Sequence, residues 1–177
     1  YTLPSSFCVA GRQSPLPPCC QAVRCSVVDR DPIAPAAPRA APETVAVIDI
    51  GASAVRLVVA ELAAGRRPFV VEEVVRGVSL GKDTFSAGRI GSGAMEAALR
   101  ALEGFKHLMD EHGASRYRAV ATSAVREAEN PEEFVARARD EAGVEVEIIS
   151  GTEEARLIHL GVLQAVPVFD QRLLLCD

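Results

Sequence analysis

Three Val- and Ile-rich runs, at residues 44–50, 55–62 and 69–78, open the regular part of the chain, and Gly-containing turns join them. The second connection, Gly65-Arg66-Arg67-Pro68, is a plain hairpin turn. Connections this short suit antiparallel neighbours, so the three runs are expected to form a meander. The period then changes. Across residues 92–111, Met95, Leu99, Leu102 and Met109 keep a helical spacing, and Gly113 supplies the stop. Residues 117–121 read as a short buried strand. Asn130-Pro131-Glu132-Glu133 is a helix start, with an N-cap, a proline at the first helical position and a carboxylate at the third, and Gly143 closes that helix. Residues 144–149 give another strand. Ser150 and Glu153 form a capping pair for a further helix that Pro167 ends, and residues 172–176 begin one more strand.

The order is β-β-β-α-β-α-β-α followed by a lone strand. An antiparallel start that continues into βα units places the chain in the α/β class, as a mixed sheet flanked by helices. It resembles the ribonuclease-H-like topology of the actin and sugar-kinase superfold. Residues 44–168 would be the first domain and residues 169–177 the opening strand of a truncated second one. Fold alone says nothing about chemistry. Residues 1–43 are different. They hold eight of the eleven prolines and four of the five cysteines (Cys8, Cys19, Cys20, Cys25), with no periodic apolar pattern. The cysteine spacing fits no zinc site, and no basic start or continuous apolar core marks a secretory signal. This stretch is expected to be disordered or a non-native leader, with residues 32–42 as an extended linker. A start at Tyr1 and a stop at Asp177, just after an apolar run, suggest a fragment at both ends.

Composition narrows the classes. With 177 residues and 49% hydrophobic content the chain can bury one substantial core. A net charge of −5 argues against a general nucleic-acid binder, whose footprint would be basic. It does not exclude phosphate substrates, which a local arginine or a metal can meet. No apolar run is long enough to span a bilayer. The expectation is a soluble, cytoplasmic protein with neither nucleic acid nor membrane as partner.

The candidate chemistry begins at Asp49-Ile50-Gly51-Ala52-Ser53-Ala54, a small-residue turn with an acid at the mouth of the strand before it. Small residues let backbone N–H groups approach an anionic oxygen, and Asp49 is placed to hold a divalent cation or a water beside it. An ordinary hairpin would carry the same residues. Two further segments change the balance: Val120-Ala121-Thr122-Ser123-Ala124-Val125-Arg126-Glu127-Ala128 and Ile148-Ile149-Ser150-Gly151-Thr152-Glu153-Glu154-Ala155-Arg156-Leu157. Together the three resemble the exopolyphosphatase / guanosine-pentaphosphate phosphatase (Ppx/GppA) family over about residues 44–177. The family's first loop usually carries hydroxyl residues flanking an asparagine; here Ala52, Ser53 and Ala54 stand there, which leaves mainly backbone donors.

The resemblance implies an acid anhydride hydrolase that releases terminal orthophosphate from inorganic polyphosphate or guanosine pentaphosphate. It implies Glu154 as general base, Arg126 as phosphate clamp, and Gly51, Ala52, Ser53 and Ala54 as the phosphate loop. Asp49 and Asp177 would approach a Mg²⁺ ion, largely through water. A homodimer of the full-length parent is among its expectations. Each residue also has a plainer role: Glu153 and Glu154 as complements to a helix dipole, Arg126 in a salt bridge with Glu127 or Glu129, Asp49 and Asp177 as strand-end polar residues. Glu153 keeps the capping role, and Arg156 is expected to pair with a neighbouring acid. His107, His112 and His159 read as structural, and Cys176 as a core thiol. Two other readings stay open. One is a kinase-like phosphotransferase of the same superfold; the other is a non-catalytic polyphosphate- or nucleotide-binding fragment. The second phosphate loop would begin at Asp177, so the 177-residue chain alone is expected to be inactive.

Overall fold

Strand β1 (Glu43–Ile50) divides the fold into two faces. Ala46, Ile48 and Ile50 are buried on one, while Val47 and Asp49 between them are exposed on the other. The computed structural model describes residues 41–165. β1 pairs antiparallel with β2 (Ala54–Leu62), setting Val55, Leu57 and Val59 opposite Ile50, Ile48 and Ala46, all on the buried face. β2 pairs antiparallel with β3 (Phe69–Gly77), with a bulge between Val59 and Ala60. The expected meander is there, and its first strand starts one residue earlier than the sequence pattern placed it.

The chain then leaves the sheet through helices α1 (Leu80–Ala87) and α2 (Ser92–Glu111), and returns as β4 (Arg116–Ala121) on the free side of β1. A one-turn α3 (Ser123–Arg126) and α4 (Pro131–Ala142) lead to β5 (Val146–Ile148), and α5 (Gly151–Ala165) follows. β4 is parallel to β1 and β5 parallel to β4, so the sheet runs β3-β2-β1-β4-β5. This is the mixed α/β, ribonuclease-H-like arrangement expected from the element order. α2 brings Met95, Leu99, Leu102, Phe105 and Met109 to the buried face, and α4 adds Phe134, Ala138 and Ala142.

Several expectations need correction. α1 and α3 were not foreseen. β4 is buried only at Ala119, Val120 and Ala121; Arg116, Tyr117 and Arg118 are exposed, the two arginines pairing at the surface with Glu43 and Glu147. β5 is three residues long, and the buried Val144 precedes it as loop. Calls on Pro167, residues 172–176, Cys176 and Asp177, and on residues 1–40, fall outside the described residues.

Asn130 takes the N-cap position of α4, yet its side chain does not cap the helix. Its Oδ1 accepts the Ile90 N–H at 2.9 Å and its Nδ2 donates to Ile90 O at 3.3 Å and to Glu133 Oε2 at 2.9 Å. The amide thus ties the α1–α2 connection to α4 as a strand neighbour would. Asn130→Ala leaves the buried Ile90 without these partners. It should lower unfolding free energy by about 1–2 kcal/mol in a urea titration; an unchanged midpoint would count against the clamp.

Candidate active site

Because β1 and β4 are parallel, with Asp49 opposite Val120, their carboxyl ends open on the same edge of the sheet. Crevices at such ends are where open α/β sheets hold ligands. Here the first turn leaves β1 at Gly51, Thr122 and Ser123 leave β4, and α5 starts just beyond β5. A cleft of about 540 Å³ lies among them, lined on its polar side by Asp49, Gly51, Ala52, Thr122, Ser123 and Glu154. Leu157 and Ile158, one helical turn beyond Glu154 on α5, form an apolar wall. Asp49, the first turn and Glu154, far apart in sequence, therefore share one cavity.

Within the turn, the Gly51 N–H donates to Ala54 O at 3.0 Å. The N–H groups of Ala52 and Ser53 have no backbone partner among the described residues. Ser53 and Ala54 stand behind the cleft wall, and their carbonyls accept N–H groups of the fold.

Arg126 does not line the cleft; it reaches the site through Glu154. Its Nη1 donates to Glu154 Oε2 at 3.1 Å and to Ile149 O at 2.9 Å. The two side chains are only 27% and 24% exposed, so the pair is better shielded than a surface ion pair. Glu127, the neighbour considered from sequence, lies at 3.9 Å from Nη2, outside hydrogen-bond range. Glu154 Oε1 has no hydrogen bond among the described residues.

Glu153 turns elsewhere. Its N–H donates to Ser150 Oγ at 3.2 Å, which is one half of the expected capping pair. Its carboxylate is forked by Arg156 at 2.7 and 2.8 Å instead of reaching back to Ser150. The Arg156 hydrogen bond, with Arg118 nearby, holds the Glu153 carboxyl below the usual carboxylate range. His112 pairs with Glu72 through Nε2. Among the described residues, no three His, Cys, Asp or Glu side chains gather as a metal site, and no helix is long and apolar enough to cross a membrane. Thr122 and Ser123 lie in the quoted strand–turn–arginine segment, but nothing in their spacing singled them out as cleft residues.

Residues 58–177 match the model of the Ppx/GppA phosphatase family. The chain belongs to this family. Exopolyphosphatase 1 of Mycobacterium tuberculosis is 33% identical over 116 residues, covering 66% of this chain and 34% of that protein. The chain thus spans about a third of the length of the curated relatives it matches. Among solved structures, the Ppx/GppA family member of Aquifex aeolicus is 38% identical with a TM-score of 0.65, over 69% of this chain and 40% of that one. An exopolyphosphatase from Cytophaga hutchinsonii is 36% identical with a TM-score of 0.67, over 71% and 40% respectively.

Proposed function

We propose that this chain supplies one wall of the active site of an exopolyphosphatase, which shortens inorganic polyphosphate from its end and releases orthophosphate. One observation carries the reading: Glu154, Asp49 and the Gly51–Ala52 turn line the same cleft. The relatives named as exopolyphosphatases favour polyphosphate over guanosine pentaphosphate as the substrate.

The N–H group of Ala52, which lines the cleft, would hold a terminal phosphoryl oxygen, as backbone donors in small-residue turns do. A water hydrogen-bonded to Glu154 Oε1 would attack the terminal phosphorus in line. Its oxygen forms the new P–O bond while the phosphoanhydride P–O bond breaks. The water's proton passes to Glu154, and the leaving oxygen keeps the bonding electrons as the new end of a chain one phosphate shorter. Arg126 would fix the Glu154 carboxylate through Oε2, leaving Oε1 to meet the water. Asp49 is an exposed carboxylate lining the cleft, and Mg²⁺ would bind through it together with water and substrate phosphates. Bound there, the ion would neutralise charge on the phosphoanhydride.

The test uses the protein at its full natural length. Orthophosphate release from long-chain polyphosphate is expected with Mg²⁺ and should be lost in EDTA, with guanosine pentaphosphate assayed in parallel. Release from guanosine pentaphosphate alone would move the substrate assignment. Release from neither, or ATP-dependent phosphorylation of a small alcohol or carboxylate, would overturn the hydrolase reading.

A further inference from the structure

The turn after β1 is held from behind by a segment that does not itself line the cleft. Ala52 O accepts the Gly81 N–H at 2.8 Å, and Ser53 O accepts the N–H groups of Val78 at 3.0 Å and Ser79 at 3.2 Å. None of these three donors lines the cavity. In a planar trans peptide the carbonyl and the following N–H point in opposite directions. Drawing the Ala52 carbonyl toward α1 therefore turns the Ser53 N–H away from α1. Both carbonyls of the turn are thus anchored on the α1 side, which fixes the setting of Ala52, the turn residue that lines the cleft beside Gly51.

Two features of the segment serve this contact. Ser79 has φ 54° and ψ 37°, a left-handed conformation that side chains disfavour, and it is the one non-glycine residue with positive φ among the described residues. Gly81 admits no side chain. A Cβ there would lie 2.8 Å from Ala52 Cβ and 2.8 Å from Phe85 Cε2. The Phe85 ring is exposed and can swing outward, but Ala52 Cβ cannot yield without moving the turn.

We infer that residues 78–81 are a positioning element for the anion-binding turn, and that Gly81 is the residue on which its alignment depends. The identity of the anion rests on the phosphatase reading; the mechanical coupling does not. Gly81→Ala at full natural length should raise the KM for polyphosphate and the orthophosphate inhibition constant by at least about tenfold. Adding Ala52→Gly removes the atom that the new methyl strikes and keeps the backbone N–H, so both constants should fall back by at least about threefold from their Gly81→Ala values. Gly93→Ala, where nothing lies within 4 Å of the new Cβ, serves as the neutral control. A purely structural glycine would shift the melting midpoint alone.

Unchanged constants in Gly81→Ala would overturn the inference. So would a double variant that fails to fold or to regain affinity. If the wild type turns over no polyphosphate, the phosphatase reading falls separately. The coupling is then read from the orthophosphate-induced shift of the residue 52 amide resonance, expected in wild type and the double variant and absent from Gly81→Ala.

Discussion

Glu154→Gln in the full-length protein is expected to lower kcat for orthophosphate release by about 10²–10⁴-fold, with KM little changed. The substitution is nearly isosteric. The glutamine oxygen can still accept from Arg126 Nη1, now 3.1 Å from Oε2, and the Glu154 N–H bond to Ser150 O at 2.9 Å belongs to the backbone. Neither the start of α5 nor the cleft wall has reason to move. What the amide cannot do is take a proton from water. Steady-state phosphate release, with melting midpoints as a control for folding, separates these contributions. A kcat within a factor of about three of wild type would reject Glu154 as the base.

Phe134→Ala should produce the largest loss of stability, about 3–5 kcal/mol in a urea titration. Phe134 is fully buried and begins a stripe on α4 that continues through Ala138 and Ala142. The two alanines are small, so α4 can approach α2 closely, and the phenyl ring supplies most of the apolar volume on this side. Its removal leaves a cavity that a helix also tied to α2 by Arg137 and Glu96, 2.7 Å apart, cannot readily collapse into. Against a domain stability of about 5–15 kcal/mol, that loss is a large share. A midpoint shift worth less than about 1 kcal/mol would show that the interface between α2 and α4 relaxes freely.

Some features of the site were legible because they are local. Arg156 pairs with Glu153 three residues away on one helix face, as their spacing implied. Gly113 and Gly143 have φ of +63° and +66°, so the glycines read as helix stops occupy the left-handed positions that helix ends favour. α1 was not legible. It is only eight residues long, and the buried positions Leu80, Gly81 and Thr84 give no apolar stripe to read. Its importance lies in backbone donors, which no side-chain pattern encodes. For Arg126, adjacent acids were the natural partners to consider, yet Glu154 is the closer one.

Taken alone, the amino-acid order determined the strands, the helices α2, α4 and α5, and the class of sheet. A pleat of period two and a helix of period 3.6 are imposed residue by residue, and a short turn leaves a strand little choice of neighbour. The tertiary structure alone decided that Asp49 and Glu154 face one cleft. That meeting depends on β4 returning parallel to β1 and β5 parallel to β4, which brings their carboxyl ends to a common edge. Burial of one sheet face under α2 and α4 drives this arrangement, and periodicity within an element carries no information about distances between elements.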